Sequence, residues 1–371
     1  MARSRGSLAC FEAAASFFVS RVRVRYTAGM IRTSLALFLV IAVSTGSASL
    51  AAQGGAAPPV PTPTDVKPGS INSEDAPYPY PSHYFPLTIL GNDLRMSYMD
   101  VAPSGTANGH TVVLLHGNNF GGFYFGGPAE VLRKEGFRVI IPDQIGYGRS
   151  SKPTTIPYNF SQWARNTKLL LDSLKIDRAM IVGHSMGGML AARFATQYPA
   201  VTERLVLYNP IGLTDGRYDR PLADIDAAYK SGLGQTYQSI RASLMRYVAH
   251  NPSAWNDVFE TYSKVRYSWT LGPEWPRLAM VQTLIGQVLY SDPVVYDWPR
   301  IKSPTLVFGG ADDFLAGTPA DFQAAMKRIA DTIPNGMAKL HLIPGLGHVP
   351  HLEAPDKTYP PLVAFLKEGL K

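Results

Sequence analysis

Three side chains in this sequence have the types needed to break an acyl bond together. Ser185 lies in "GHSMG" (183–187), a serine between two glycines directly after the apolar run "RAMIV" (178–182). The run reads as a buried strand, and "MLAARFATQYP" (189–199) reads as a helix, which sets the serine on a strand-to-helix turn. Such a turn strains its central residue, lifts the hydroxyl to the top of a sheet and aims the helix N-terminus at whatever the serine attacks. A hydroxyl alone is a poor nucleophile; it needs a base, and the base needs an orienting group.

Of the eight histidines, His348 is the candidate base. It lies in "PGLGHVPHLEAP" (344–355), after the last expected strand, where glycines let a loop carry the imidazole back over the sheet edge. His351 is its competitor. His184 is the variable residue of the serine turn and is expected to point away from the serine, while His83, His110, His250 and His341 sit in a linker, strands or a helical region. A His348/His351 metal pair lacks a third ligand at workable spacing, so no metal is expected. The acid is expected at the end of "SPTLVFGGADDFLAG" (303–317). Its position relative to Gly310 favours Asp313, with Asp312 the rival and otherwise a turn or cap residue. The oxyanion needs two backbone N–H donors, each worth ~10²–10³ in rate. Met186, next to the nucleophile, offers one; Asn118 in "HGNNFGG" (116–122) offers the other, Gly117 permitting the turn. Asn118 and Asn119 also suit a plain turn.

The elements that must position these groups alternate along the chain. Two strands flanking Gly91-Asn92-Asp93 read as a hairpin (84–102). Strands then follow at 110–117, 137–144, 178–185, 204–210, 303–310 and 339–345, with helical stretches near 127–135, 161–175, 186–198, 319–331 and 355–370. This predicts an α/β fold with a mostly parallel sheet and helices on both faces. Between Gly212 and Trp298 there is only helical pattern rich in Tyr and Trp, read as an inserted helical cap. The expected organisation is a signal-peptide region over 1–52, a Pro/Gly-rich linker over 53–83 ordered where its tyrosines touch the domain, a core of 84–212 and 298–371, and a cap of 213–297.

Ser185, Asp313 and His348 in that order, with "HG" after one strand and "DQIGYGRSSKP" (143–153) after the next, resemble the α/β-hydrolase superfamily over residues 84–370. The similarity is to its cap-bearing serine hydrolases, which include esterases, meta-cleavage C–C hydrolases and proline iminopeptidases. It implies hydrolysis of a small or medium carboxylic ester through an acyl-enzyme, without a cofactor, on a small-molecule substrate. C–C and amide cleavage are the alternatives on the same triad. Against them stand His184 where C–C hydrolases usually carry Asn, and "HGNNFGG" in place of "HGGPG". The alternative from another class is a ligand-binding homologue without turnover. "FGGFYFGGP" (120–128) does not match a dinucleotide loop.

The net charge of +7 is unevenly placed, since residues 1–52 hold six Arg and one acidic residue. The rest is nearly neutral, which argues against nucleic-acid or anionic-membrane partners. Met30-Ile31-Arg32, the apolar "SLALFLVIAV" (34–43) and the small residues of 44–52 have the three parts of a secretory signal, with Met30 an alternative start. The only cysteine, Cys10, precedes the body, which therefore has no disulfide to depend on. Export to the periplasm or medium is the expectation; oligomeric state is not legible.

Overall fold

The computed structural model describes residues 60–370. Eight strands form one sheet: β1 (Ser82–Ile89), β2 (Asn92–Val101), β3 (Thr111–Leu115), β4 (Arg138–Pro142), β5 (Ala179–His184), β6 (Thr202–Tyr208), β7 (Thr305–Gly310) and β8 (Ala338–Ile343). Their order is β1-β2-β4-β3-β5-β6-β7-β8. β2 runs antiparallel to both its neighbours, and all other pairs are parallel. β3, β5 and β7 are buried along their whole length, as strands covered on both faces must be.

Side chains alternate between the two faces. Val113, Leu115, Ile181, Leu205 and Leu207 pack with α2 (Phe160–Ser173), α3 (Met186–Gln197) and α8 (Pro319–Thr332). Val112, Leu114, Met180, Val182 and Val206 face α1 (Gly126–Lys134) and α10 (Pro355–Lys367). The chain leaves β3 toward β4 on one side and leaves β5 toward β6 on the other. β3 and β5 are neighbours, so this is the topological switch point, where open α/β sheets form a crevice beyond the strand ends. Asn118 follows β3 and Ser185 follows β5; the topology alone brings their loops together.

Between β6 and β7 lie α4 (Ile225–Leu233), α5 (Tyr237–Met245), α6 (Asp257–Thr270) and α7 (Trp275–Ser291). Val281, Ile285 and Val288 of α7 join the cluster of α2 and α3, while Leu244, Phe259 and Tyr262 pack with Phe120 and Phe123 beside β3. Arg193 on α3 ties down the returning chain through ion pairs to Asp292 at 2.9 Å and Asp297 at 2.7 Å.

The segment before β1 differs from an extended linker. Tyr78 donates to Asp143 at 2.6 Å and Arg149 stacks over its ring. Further back, Gly69 N–H donates to Ser268 O on α6 at 2.8 Å, and Ile71 is buried with Trp269, Trp275 and Leu278. Residues 69–80 thus form a strap lying against both core and cap, because an apolar Ile71 and three tight turns supply what a solvated Pro/Gly composition does not. The leader expected over 1–52 and Cys10 lie outside the described residues.

Candidate active site

Ser185 has φ 57° and ψ −121°, a left-handed conformation that costs a non-glycine residue ~1–3 kcal/mol. The glycines around it make the turn fit. A Cβ on Gly183 would come 2.0 Å from Gly187 O, one on Gly187 would come 2.1 Å from Leu115 O, and one on Gly188 would come 2.7 Å from Pro210. Across the crevice, a Cβ on Gly117 would come 3.0 Å from Ser185 Cβ. The serine turn therefore presses directly on the loop after β3.

Asp313 and His348 meet at 2.6 Å, Asp313 Oδ2 to His348 Nδ1, both almost fully buried. The same carboxylate accepts from Asn209 Nδ2 at 3.0 Å and, through Oδ1, from Leu315 N–H at 2.9 Å. Burial pushes the Asp313 carboxyl up, but His348 and the N–H donors from Leu315 and Asn209 outweigh it and hold it below the usual carboxylate range. Asp312, one residue earlier, instead accepts Gly345 N–H at 2.8 Å, a turn contact. The structure thus brings Asp313, not Asp312, to His348. His348 Nε2, the nitrogen left over for a nucleophile, has no hydrogen-bond partner among the described residues. His351 lies elsewhere: its Nδ1 is 3.0 Å from Tyr208 OH, and burial pushes its pKa down to about 3.

His184 does more than occupy a variable position. Its Nε2 lies 2.7 Å from His348 O and its Nδ1 lies 2.9 Å from Tyr124 OH. A carbonyl only accepts, so Nε2 carries the proton and Nδ1 accepts from the tyrosine. Tyr124 OH in turn accepts Gly117 N–H at 2.9 Å. One directed chain therefore runs from the loop after β3, through the residue before the nucleophile, to the backbone of the base. Burial first, then the neighbouring His348 and His351, push the His184 pKa well down and keep the ring neutral, as the chain requires.

Both expected oxyanion donors share one support. Tyr147 OH lies 2.5 Å from Asn118 Oδ1 and 3.2 Å from Met186 Sδ. Met186 is the first residue of α3, where the N–H has no intrahelical partner. His116 clamps the same region, donating from Nδ1 to Gly117 O at 2.9 Å and accepting Gln144 N–H at Nε2.

Comparison with known proteins bears on this arrangement. Residues 112–360 match the sequence model of the Alpha/beta hydrolase family. The chain belongs to that family. The crystal structure of a probable hydrolytic enzyme from Pseudomonas aeruginosa PAO1 is 36% identical, with TM-score 0.75, over 81% of this chain and 99% of that one. Among curated relatives, a 2-hydroxy-6-oxo-2,4-heptadienoate hydrolase of Pseudomonas putida is 28% identical over 71% of this chain and 90% of its own. A 2-hydroxy-6-oxononadienedioate/2-hydroxy-6-oxononatrienedioate hydrolase of Comamonas testosteroni is also 28% identical, over 75% and 95%.

In this α/β-hydrolase the cap reaches the base directly. Tyr247 O accepts His348 N–H at 3.0 Å, its ring lies 4.9 Å from the imidazole, and its hydroxyl accepts from Asn119 Nδ2 at 2.5 Å. Near it, Arg266 on α6 is only 7% exposed. Its Nη1 has no hydrogen-bond partner and the guanidinium makes no ion pair among the described residues; burial pushes its pKa down. Asn209, Tyr124, Tyr147 and Arg266 were not legible as site residues, Tyr247 stood out only as one of the cap's many aromatics, and His184 only as the turn's variable residue. A positive φ of 36° marks Asn209, and "YN" ending β6 was its only trace in the sequence.

Proposed function

We propose that this hydrolase cleaves a carboxylic ester whose substrate carries a negative charge. The observation that carries the anionic part is Arg266. A buried guanidinium without a counter-charge costs several kcal/mol, and an anionic substrate group would offset that cost during binding. Ser185 Oγ attacks the ester carbonyl as His348 Nε2 takes its proton, and Asp313 orients the imidazolium. The N–H groups of Asn118 and Met186 stabilise the oxyanion. His348 then protonates the departing alcohol, and water, activated by the same imidazole, releases the acid from Ser185.

C–C cleavage on the same triad is the second reading, favoured by the named relatives, which are hydrolases of dienoates. A carboxylate such as those in their substrates' names would offset the Arg266 charge in the same way. An iminopeptidase would need cap acids to hold a substrate amine, but Asp257 and Glu274 are exposed and Glu260 is engaged by Arg241 and Tyr237.

Monoethyl and diethyl succinate, assayed beside a meta-cleavage product, separate the readings. The monoester is expected to be preferred, and Arg266→Met to abolish that preference while raising Tm, since a buried unpaired charge is removed. Preference for the diester would sink the anionic reading, and turnover of the meta-cleavage product alone would replace ester with C–C cleavage. Export is part of the proposal, supported by the leader's composition. N-terminal sequencing of protein from the periplasm or medium is expected to begin roughly between residues 49 and 54, by the small-residue cleavage preference.

A further inference from the structure

The strap before β1 reaches the oxyanion loop. Ile71 and Ser73 line one cleft with Asn118, Asn119, Tyr147 and Trp269, so its walls come from strap, core and cap together. Its free volume is about 20 Å³, room for little more than one water. A larger substrate group on this side of the oxyanion loop would press on these walls, Ile71 and Ser73 among them.

Ser73 is built for more than a turn. It is 1% exposed, and its Oγ has no hydrogen-bond partner among the described residues. Its φ of 54° places a non-glycine residue in the left-handed region, a strain that persists only where the surroundings fix it. The fixing is visible on both sides: Gly69 N–H to Ser268 O, Ser73 N–H to Ser70 O at 2.9 Å, and Tyr78 OH to Asp143. A buried hydroxyl left unpaired is costly, and a substrate oxygen at that position would relieve the cost. Ile71 is held in its wall by Trp269 and Leu278, which line the same cleft.

We propose that the strap is a specificity-determining wall of the active site: Ile71 limits the length of the substrate half lying beside Asn118, and Ser73 Oγ hydrogen-bonds a hydroxyl or carbonyl oxygen on that half. The inference rests on the serine-hydrolase reading above, and it assigns substrate contacts to residues that precede the hydrolase core.

The test uses the full chain with Ile71→Ala, Ile71→Phe and Ser73→Ala, each assayed on two ester series, one lengthening the alcohol and one the acid. Ile71→Ala is expected to raise kcat/KM for the longer members of one series about tenfold relative to the shortest, and Ile71→Phe to shift it the opposite way. Ser73→Ala is expected to cost about tenfold on a hydroxybutyl ester while leaving the butyl ester nearly unchanged, a split that a purely structural role would not produce. Unchanged ratios in all three variants, with Ser185 still labelled by an organophosphonate, would overturn the proposal. If Ile71→Ala fails to fold, Ser73→Ala, which removes one oxygen, decides alone. Failure of the parent protein itself to label or turn over would instead bring down the serine-hydrolase reading.

Discussion

Beneath Ser185 every polar group in the relay from Gly117 N–H through Tyr124 and His184 to the His348 carbonyl has its partner, and backbone meets backbone with no room for a methyl group. Above it, Arg266 and Ser73 are buried with atoms left unpaired, and strap and cap hold a cleft of about 20 Å³ between them. Satisfied, close-packed groups hold a catalytic geometry; unsatisfied ones are poised to receive something. The lower region carries the chemistry and the upper one the choice of substrate, and substitutions should separate the two.

Ser185→Ala is the largest expected effect. Triad members act as a unit, so kcat should fall by about 10⁶ and phosphonate labelling should vanish. Retention of more than about a hundredth of kcat would place the nucleophile elsewhere. Asp313→Asn should cost about 10⁴ by stabilising the wrong tautomer of His348, whereas Asp312→Asn, whose amide oxygen still accepts Gly345 N–H, should cost less than about tenfold. Equal losses would move the acid. His184→Ala cuts the relay in its middle without touching substrate. Misplacing the base by about 1 Å costs about 10², so kcat should fall by that order with KM little changed, and the ester ranking should stay as it is. A changed ranking with intact kcat would erase the division between the two regions.

A separate effect concerns stability and pH rather than turnover. His351 has an ordinary pKa of 6.5 and is held at about 3 by burial, so between those values the unfolded chain binds a proton that the folded chain does not. Stability is then fully present above pH 6.5 and falls as pH drops below it, by about 1.4 kcal/mol per pH unit for this histidine. Urea unfolding between pH 4 and 7 should show that slope, reduced in His351→Gln. An unchanged slope would locate the linkage in other groups.

The sheet was legible because short apolar runs with β-branched members, bounded by turn residues, are local signals. The expected strands, from the hairpin at 84–102 to "KLHLIPG", each contain a strand of the structure to within a few residues. Ser185, Asp313 and His348 stood out because a nucleophile elbow and strand-end loops have local spacing. The expectation for His184, that it points away from the serine, says nothing of what it reaches instead. Its partners, Tyr124 and the His348 carbonyl, are 60 and 164 residues away, and nothing local announces them. The strap was hidden for a related reason: proline-rich composition describes a segment's solvation, and one isoleucine among polar residues does not reveal that a cap waits to bury it.

The contact of Gly187 with Leu115 O and of Gly183 with Gly187 O bears on how such a protein can change over generations. Any side chain at either glycine drives into backbone that cannot swing aside, so no single substitution there leads gradually to a new geometry. Mutational drift finds no foothold at the turn itself. Altered substrate use is reachable instead through small, tolerated steps at positions such as Ile71, Ser73 and Arg266, and lineages sharing this turn can diverge in what they hydrolyse long before they diverge in how.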